Sequence, residues 1–273
     1  MLTAVLAHLP AEQVAERVAL LRALSPQARF VVCYAGPPSE FERIDGDDKL
    51  LIDDPTLRGA EQHLQSLTQT FEALWRRYFE HDAELDSLYL IEYDHLVLSP
   101  RFESHLRELA QRTSADLMGK NCVERTATND EHYIRFRRDP RLLSHLRRLS
   151  VREDPTRIAG CLGDGMWLSR RALEAYVEVG EHPPCYCETY VPTLLHHLGL
   201  RLVDIDAGGD LYRDVRWVPP YDTAQVLERF SAGAVFIHPV KDRRAVRALH
   251  DEVLRSRAAR PAAEALHAAR RTA

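Results

Sequence analysis

The sequence predicts an α/β fold built from parallel βαβ units. Short β-rich runs alternate with longer helical patterns through the first half of the chain. Parallel neighbours need a crossover of a dozen or more residues, and these spacings supply one. The runs Val31-Val32-Cys33-Tyr34 and Leu88-Tyr89-Leu90-Ile91 are continuously apolar, which suits a sheet covered on both faces. With 273 residues, 45% of them hydrophobic, the chain can bury a core without covalent staples.

The elements follow in order. Thr3–Leu9 reads as a strand closed by Pro10. Ala11–Leu24 places Val14, Val18 and Leu21 at helical spacing. Arg29–Tyr34 is a second strand, stopped by Ala35-Gly36-Pro37-Pro38. Lys49–Ile52 is a short third strand. Thr56–Glu80 reads as one long amphipathic helix, with Leu64, Leu67, Phe71, Leu74 and Tyr78 on its inner face. Ser87–Glu92 is a fourth strand, Phe102–Arg112 a helix and Asp116–Gly119 a short strand. From Asn121 to Ala159 the alternation stops and arginine accumulates; a short helix is expected at Arg141–Leu149, inside an insertion or lid. Ser169–Val179 is a helix with Ser169 as N-cap. Glu188–Leu198 is a helix stopped by Gly199. Leu200–Ile205 and Ala234–Ile237 are the last strands.

Charge narrows the function classes. The formal net charge of −5 gives no footprint for nucleic acid. From Lys241 onward nine Lys/Arg face four acids, so the tail is +5 and the rest of the chain −10. A basic helical tail is a candidate for peripheral contact with an anionic membrane or an acidic partner, against the plainer reading of a solvated helix. The five cysteines are irregularly spaced, which argues against a disulfide framework and for a reducing compartment. Cys185-Tyr186-Cys187 beside His182 lacks the second ligand pair of a zinc site. The sequence opens without a signal-like segment and no apolar run reaches the ~20 residues of a membrane span. A cytoplasmic protein is expected.

Four constellations carry chemistry. Glu92-Tyr93-Asp94 ends an apolar strand, and alternation puts both acids on one side. Two acids so close repel unless protons or a cation sit between them, and Mg²⁺ or Mn²⁺ binds to one or two carboxylates plus substrate phosphates. His238-Pro239-Val240-Lys241 follows the last strand; a neutral imidazole is a metal ligand and a lysine a point charge for phosphate. Gly160-Cys161-Leu162-Gly163-Asp164-Gly165 sets an acid among glycines just before a helix, where backbone can approach a ligand. Glu188 opens a helix, either solvated or turned into a cleft as a general base.

In their order, these segments resemble the GT-A nucleotide-sugar glycosyltransferases over roughly residues 1–242, with 121–159 as an insertion or lid and 243–273 as a basic helical tail. The resemblance implies a single Rossmann-like domain with a mixed, mostly parallel central sheet flanked by helices. It implies sugar transfer from a UDP- or GDP-sugar to a saccharide or other hydroxyl acceptor. It also implies Mn²⁺ or Mg²⁺ held by Asp94 and His238, with Glu92 facing the metal or the ribose and Lys241 facing the diphosphate. Glu188 would be the base of an inverting enzyme, with Asp164 beside it in the reaction centre. His8, Tyr34, Gly36, Arg58, Tyr93 and Gly163 would line the donor site. The chain departs from the family pattern at the first acid of the triplet, which is Glu92, and at Cys187, where inverting members carry a second acid. A nucleotidyltransferase of similar sheet would carry a Gly-rich basic loop after the first strand, where this chain has His8-Leu9-Pro10-Ala11. The same residues also suit a non-catalytic nucleotide- or glycan-binding module, or a metal-dependent hydrolase using His8, Asp94 and His238.

Overall fold

The computed structural model describes residues 1–46, 48–54, 67–125, 133 and 135–271, with side chains up to residue 258 apart from that of Arg135. In chain order the first elements are β1 (Leu2–Ala7), α1 (Ala11–Leu24), β2 (Arg29–Tyr34), the single turn α2 (Pro38–Phe41), β3 (Lys49–Leu51) and α3 (Thr68–Leu74). The last runs on as a π turn over Trp75–Phe79. Then come β4 (Ser87–Glu92), β5 (Leu96–Val97), α4 (Phe102–Thr113), β6 (Leu117–Arg125), α5 (Pro140–Leu149) and β7 (Ile158–Ser169). The chain closes with α6 (Arg170–Glu178), α7 (Cys187–His197), β8 (Leu202–Asp204), α8 (Thr223–Ser231), β9 (Phe236–Ile237) and α9 (Arg243–Arg271).

Seven strands form one sheet in the order β3-β2-β1-β4-β7-β6-β8. Pairing is parallel except along β7, which runs against both β4 and β6. The sheet is therefore mixed and mostly parallel, and the fold is α/β. Helices cover both faces. One core holds Leu88, Leu90, Phe71, Leu168 and Tyr190; the other holds Tyr89, Ile91, Phe102, Trp167 and Phe236. Successive β4 residues enter opposite cores, as the pleat requires. Each fully buried Leu or Phe here stabilises the fold by roughly 1.5–3 kcal/mol.

The twelve-residue strand β7 takes in the whole of Gly160–Gly165, which the sequence shows only as an acid among glycines before a helix. Its antiparallel course decides where the site forms. Ile91 pairs with Gly165, so Asp164 arrives at the same sheet edge as Glu92. The C-terminal ends of β1 and β2 reach that edge as well, because Leu6 pairs with Glu92 and Ala7 with Tyr34. Gly163 must lack a side chain: a Cβ there would lie 2.8 Å from Glu188 Cγ.

Other expectations are met closely. The Ser169 hydroxyl accepts from Ala172 N and caps α6. Gly199 ends α7 with φ +81°, a left-handed conformation that glycine adopts without strain. The sequence predicts a single helix over Thr56–Glu80; α3 begins at Thr68, and residues 55–66 lie outside the described residues. Asn121–Arg125 and Ile158–Ala159, expected within an insertion, belong to β6 and β7. Ala234–Ile237 shortens to β9, which pairs with β5 in a separate two-stranded sheet. No helix among the described residues is long and apolar enough to cross a membrane.

Candidate active site

The site forms where β4 and β9 end, beside the middle of β7. Antiparallel pairing of Leu96 with Ile237 carries His238 to the Glu92–Asp94 segment, and Val240 N donates to Asp94 O at 2.8 Å. Beneath them lies Arg17 of α1, only 2% exposed. Its Nε donates to Tyr93 O at 2.8 Å and its Nη2 to Val240 O at 3.3 Å. One buried guanidinium thus ties together the two segments that present Asp94 and Lys241.

Glu92, Asp94 and His238 each offer one ligand atom, all within 4.8 Å of one another. His238 Nε2 lies 3.4 Å from Asp94 Oδ1. His238 Nδ1 lies 2.8 Å from two acceptors, Arg216 O and Asp164 Oδ2. The contact with the Arg216 carbonyl has the alignment of a hydrogen bond; both Asp164 oxygens and Asp94 Oδ1 stay buried without a hydrogen-bond partner. Lys241 Nζ sits 3.9 Å from Asp94 Oδ2 on the open side.

Charge is unbalanced here, and proton affinities record it. Burial, then Asp94, pushes the Glu92 carboxyl up to about 8. Burial opposes a charge on His238, but the carboxylates of Asp164 and Asp94 outweigh it and lift the imidazole to about 10. Burial likewise opposes ionisation of Asp164, yet His238 and His95 bring it down to about 2. Burial raises Glu188 to about 7, against hydrogen bonds that favour its charged form.

These residues fit a hard divalent cation. Two carboxylates and an imidazole are an apt donor set for one. Buried carboxylate oxygens without donors are costly unless a positive charge meets them. The hydrogen bond from Nδ1 to a backbone carbonyl leaves Nε2 as the coordinating nitrogen, an arrangement usual for metal-ligating histidines.

Glu188 stands in the first turn of α7, 6% exposed. Gly163 N donates to its Oε1 at 2.8 Å and the Tyr133 hydroxyl to its Oε2 at 3.3 Å. His8 packs edge-on against Tyr93 at 5.0 Å, in the outer part of the site. Tyr34 does not present its side chain to the site: its ring is wholly buried and its hydroxyl donates to Leu9 O at 3.0 Å. Gly36 packs directly over that hydroxyl. Arg58 lies outside the described residues.

Three participants had no sequence signal of their own. Arg17 is one. His95 is another, buried with its Nε2 2.9 Å from Tyr89 Oη, which in turn lies 2.6 Å from Tyr212 Oη. Its Nδ1 points to Asp164 at 3.9 Å. Tyr133, third, reaches Glu188 from the segment expected to form a lid. All three depend on long-range contacts; only the position of His95, next to Asp94, could have drawn notice.

No family model matches the chain, and no curated protein does. Solved structures of glycosyltransferases do match it. A galactosyltransferase, LgtC, in complex with donor and acceptor sugar analogs is 11% identical, with 92% of this chain and 96% of that one covered, at a TM-score of 0.41. An active-site mutant of LgtC is 13% identical, covering 94% and 96%, also at 0.41. A glycosyltransferase involved in glycosylation of the major capsid of PBCV-1 is 10% identical, covering 90% and 97%, at 0.40. At these identities and TM-scores the likeness does not bear on which residues of this chain act, or on what.

Proposed function

We propose that this chain is a glycosyltransferase that moves a sugar from a nucleoside-diphosphate donor to an acceptor hydroxyl, with Mn²⁺ or Mg²⁺ at the diphosphate. The observation that carries this reading is the set of buried, unpartnered oxygens on Asp94 and Asp164 beside His238, at the edge where the parallel strands end. Open α/β sheets bind ligands at that edge.

Asp94 and His238 would hold the metal, with Glu92 as a third ligand or ribose contact. Bound there, the ion would supply positive charge to the diphosphate leaving group. Lys241, 60% exposed and 3.9 Å from Asp94, adds a cation on the same side, where negative charge grows as the glycosidic bond breaks. His8 and Tyr93 form the outer wall on the β1 side, and the Gly36 backbone continues it. Glu188 is the base: held by Gly163 N–H and Tyr133 and raised to about 7, it takes a hydroxyl proton near neutral pH. Asp164, buried under His238 and His95, adds a second carboxylate to the reaction centre.

The test is product release. UDP- and GDP-sugars are incubated with the protein and a panel of saccharide acceptors, with and without Mn²⁺, and both the liberated nucleotide and the glycosylated acceptor are identified. Metal-dependent release of a nucleoside diphosphate, lost in Asp94→Ala, supports the reading. Binding without release points to a non-catalytic module. Release of a nucleoside monophosphate or pyrophosphate points to nucleotidyl transfer or hydrolysis.

A further inference from the structure

A cavity of about 600 Å³ opens beside the site on the β6 side and, among the described residues, is lined by four cations and no acid. Lys120, Arg125, Arg213 and Arg216 surround it, with Tyr133 in its wall and Trp217 at its rim. The charges differ in how far they are matched. Lys120 lies 3.4 Å from Asp206, and Arg213 lies 3.6 Å from Asp214. Arg125 and Arg216 have no ion-pair partner among the described residues.

Each of those two arginines is held in place by a few contacts that leave a donor unused. Arg125 is 9% exposed. Its Nη2 donates to Asn121 O and Gly160 O, and its guanidinium carbon lies 4.3 Å from the centre of the Tyr133 ring. Its Nε is buried without a hydrogen-bond partner. Arg216 stacks on Tyr221 at 3.7 Å and donates from Nε to Pro219 O, while its Nη2 is buried and unpartnered. Two guanidinium groups fixed in the wall of one cavity, their charge unmatched by any carboxylate among the described residues, form a receptor for an oxyanion, which guanidinium recognises through paired donors.

The surroundings say what carries that anion. Trp217 is 60% exposed, a flat apolar face that covers the C–H face of a sugar ring. The Tyr133 hydroxyl donates to Glu188 at 3.3 Å, so Tyr133 stands between the cavity and the proposed base and connects the two. His238 is joined to the same wall through the Arg216 carbonyl. His8 and Lys241 are absent from the lining, so the cavity is separate from the donor side.

We infer that this cleft takes an acidic acceptor: a saccharide bearing a carboxylate or phosphate, its charge held by Arg125, Arg213 and Arg216. The inference deepens the transferase reading and rests on it for the word acceptor. The anion site itself stands on the cavity alone.

The experiment is calorimetric titration of the full chain, without donor, using glucuronate, glucose 1-phosphate, neutral glucose and inorganic phosphate. The two acidic sugars are expected to bind at least about tenfold more tightly than glucose, the scale of one hydrogen bond to a charged group. Inorganic phosphate is expected to bind more weakly than glucose 1-phosphate, because it cannot use Trp217. Arg213→Ala and Arg216→Ala should each erase most of the advantage of the acidic sugars over glucose. Arg213 is 59% exposed, so its variant keeps the fold, and a Lys241→Ala variant should bind both sugars as before. Equal affinity for glucose and glucuronate, or acidic-sugar binding lost in Lys241→Ala and kept in both arginine variants, would overturn the assignment. Binding of free phosphate as tightly as glucose 1-phosphate would also overturn it, marking a bare anion site. Failure of the transferase reading shows separately, as no nucleotide release in the donor assay.

Discussion

His238 Nε2 faces Asp94 Oδ1 across 3.4 Å while the opposite ring nitrogen is engaged by the Arg216 carbonyl. The pair comes from strands far apart in sequence, and its geometry leaves one nitrogen and one carboxylate oxygen for a shared cation. Asp94→Ala and His238→Ala should each weaken Mn²⁺ binding by at least ~100-fold, the upper end of losses caused by removing groups that merely orient a ligand. Titration calorimetry reads this. Unchanged affinity in both variants would place the metal elsewhere.

Glu188 predicts a pH profile. A base works only when deprotonated, and burial holds this carboxyl at about 7. Turnover should therefore rise with pH through about 7 and level off above it. Glu188→Gln keeps the shape and the hydrogen bond from Gly163 N, and should lower kcat by roughly 10²–10⁴-fold. A variant that retains full turnover would remove Glu188 from the reaction.

Gly163→Ala tests the close approach of β7 to α7. The new Cβ would sit 2.8 Å from Glu188 Cγ and 3.1 Å from its Oε1. Overpacking of this kind costs about 1–3 kcal/mol, so thermal unfolding should shift down by several degrees. The more telling readout is kcat, which should fall with the displacement of Glu188. A variant with wild-type stability and turnover would show that the two elements are looser than their contacts imply.

Much of the fold is legible in the sequence because burial leaves a periodic trace. The runs that form β2 and β4 are continuously apolar, and Ser169 and Gly199 mark helix ends by local chemistry. β7 is not legible. Gly160, Gly163 and Gly165 give it the composition of a loop, yet side chains from elsewhere fill the space each leaves: Tyr133, Glu188 and Tyr212 respectively. Only the assembled structure shows why glycine is needed. The same holds within the site. Glu92, Asp94 and His238 announce themselves as polar residues closing apolar strands, and the structure brings them together. Tyr34 also closes an apolar strand, but its ring turns into the core. Arg17 looks like any helical arginine, and its role emerges only when the Tyr93 and Val240 carbonyls arrive above it.

His182 supplies a test of stability against pH. Burial holds its imidazole neutral, down to about 4 from the usual 6.5, as it stacks on Tyr176 at 4.3 Å. Between those values the unfolded chain binds the proton and the folded chain does not, so this contribution is lost as pH falls from 6.5 to 4. Glu92 and Glu188, raised by burial, act in the opposite sense: their contribution is complete below about 4.5 and fades as pH climbs through 7 to 8. The comparison of wild type with His182→Gln isolates the histidine. The loss of Tm caused by the substitution should be larger at pH 7.5 than at pH 5, as scanning calorimetry would show. An equal loss at both would mean that His182 titrates normally.

The most direct measurement is the binding of nucleoside diphosphates with and without Mn²⁺, in wild type and in Asp94→Ala. UDP, GDP and CDP would be followed by thermal shift, where a ligand at a hundred times its Kd stabilises the fold by ~2.7 kcal/mol. The account predicts that one of them stabilises the wild-type protein only when the metal is present, and that Asp94→Ala abolishes the shift. Absence of a shift with all three, or a shift indifferent to both metal and Asp94, would contradict a metal-bridged diphosphate site.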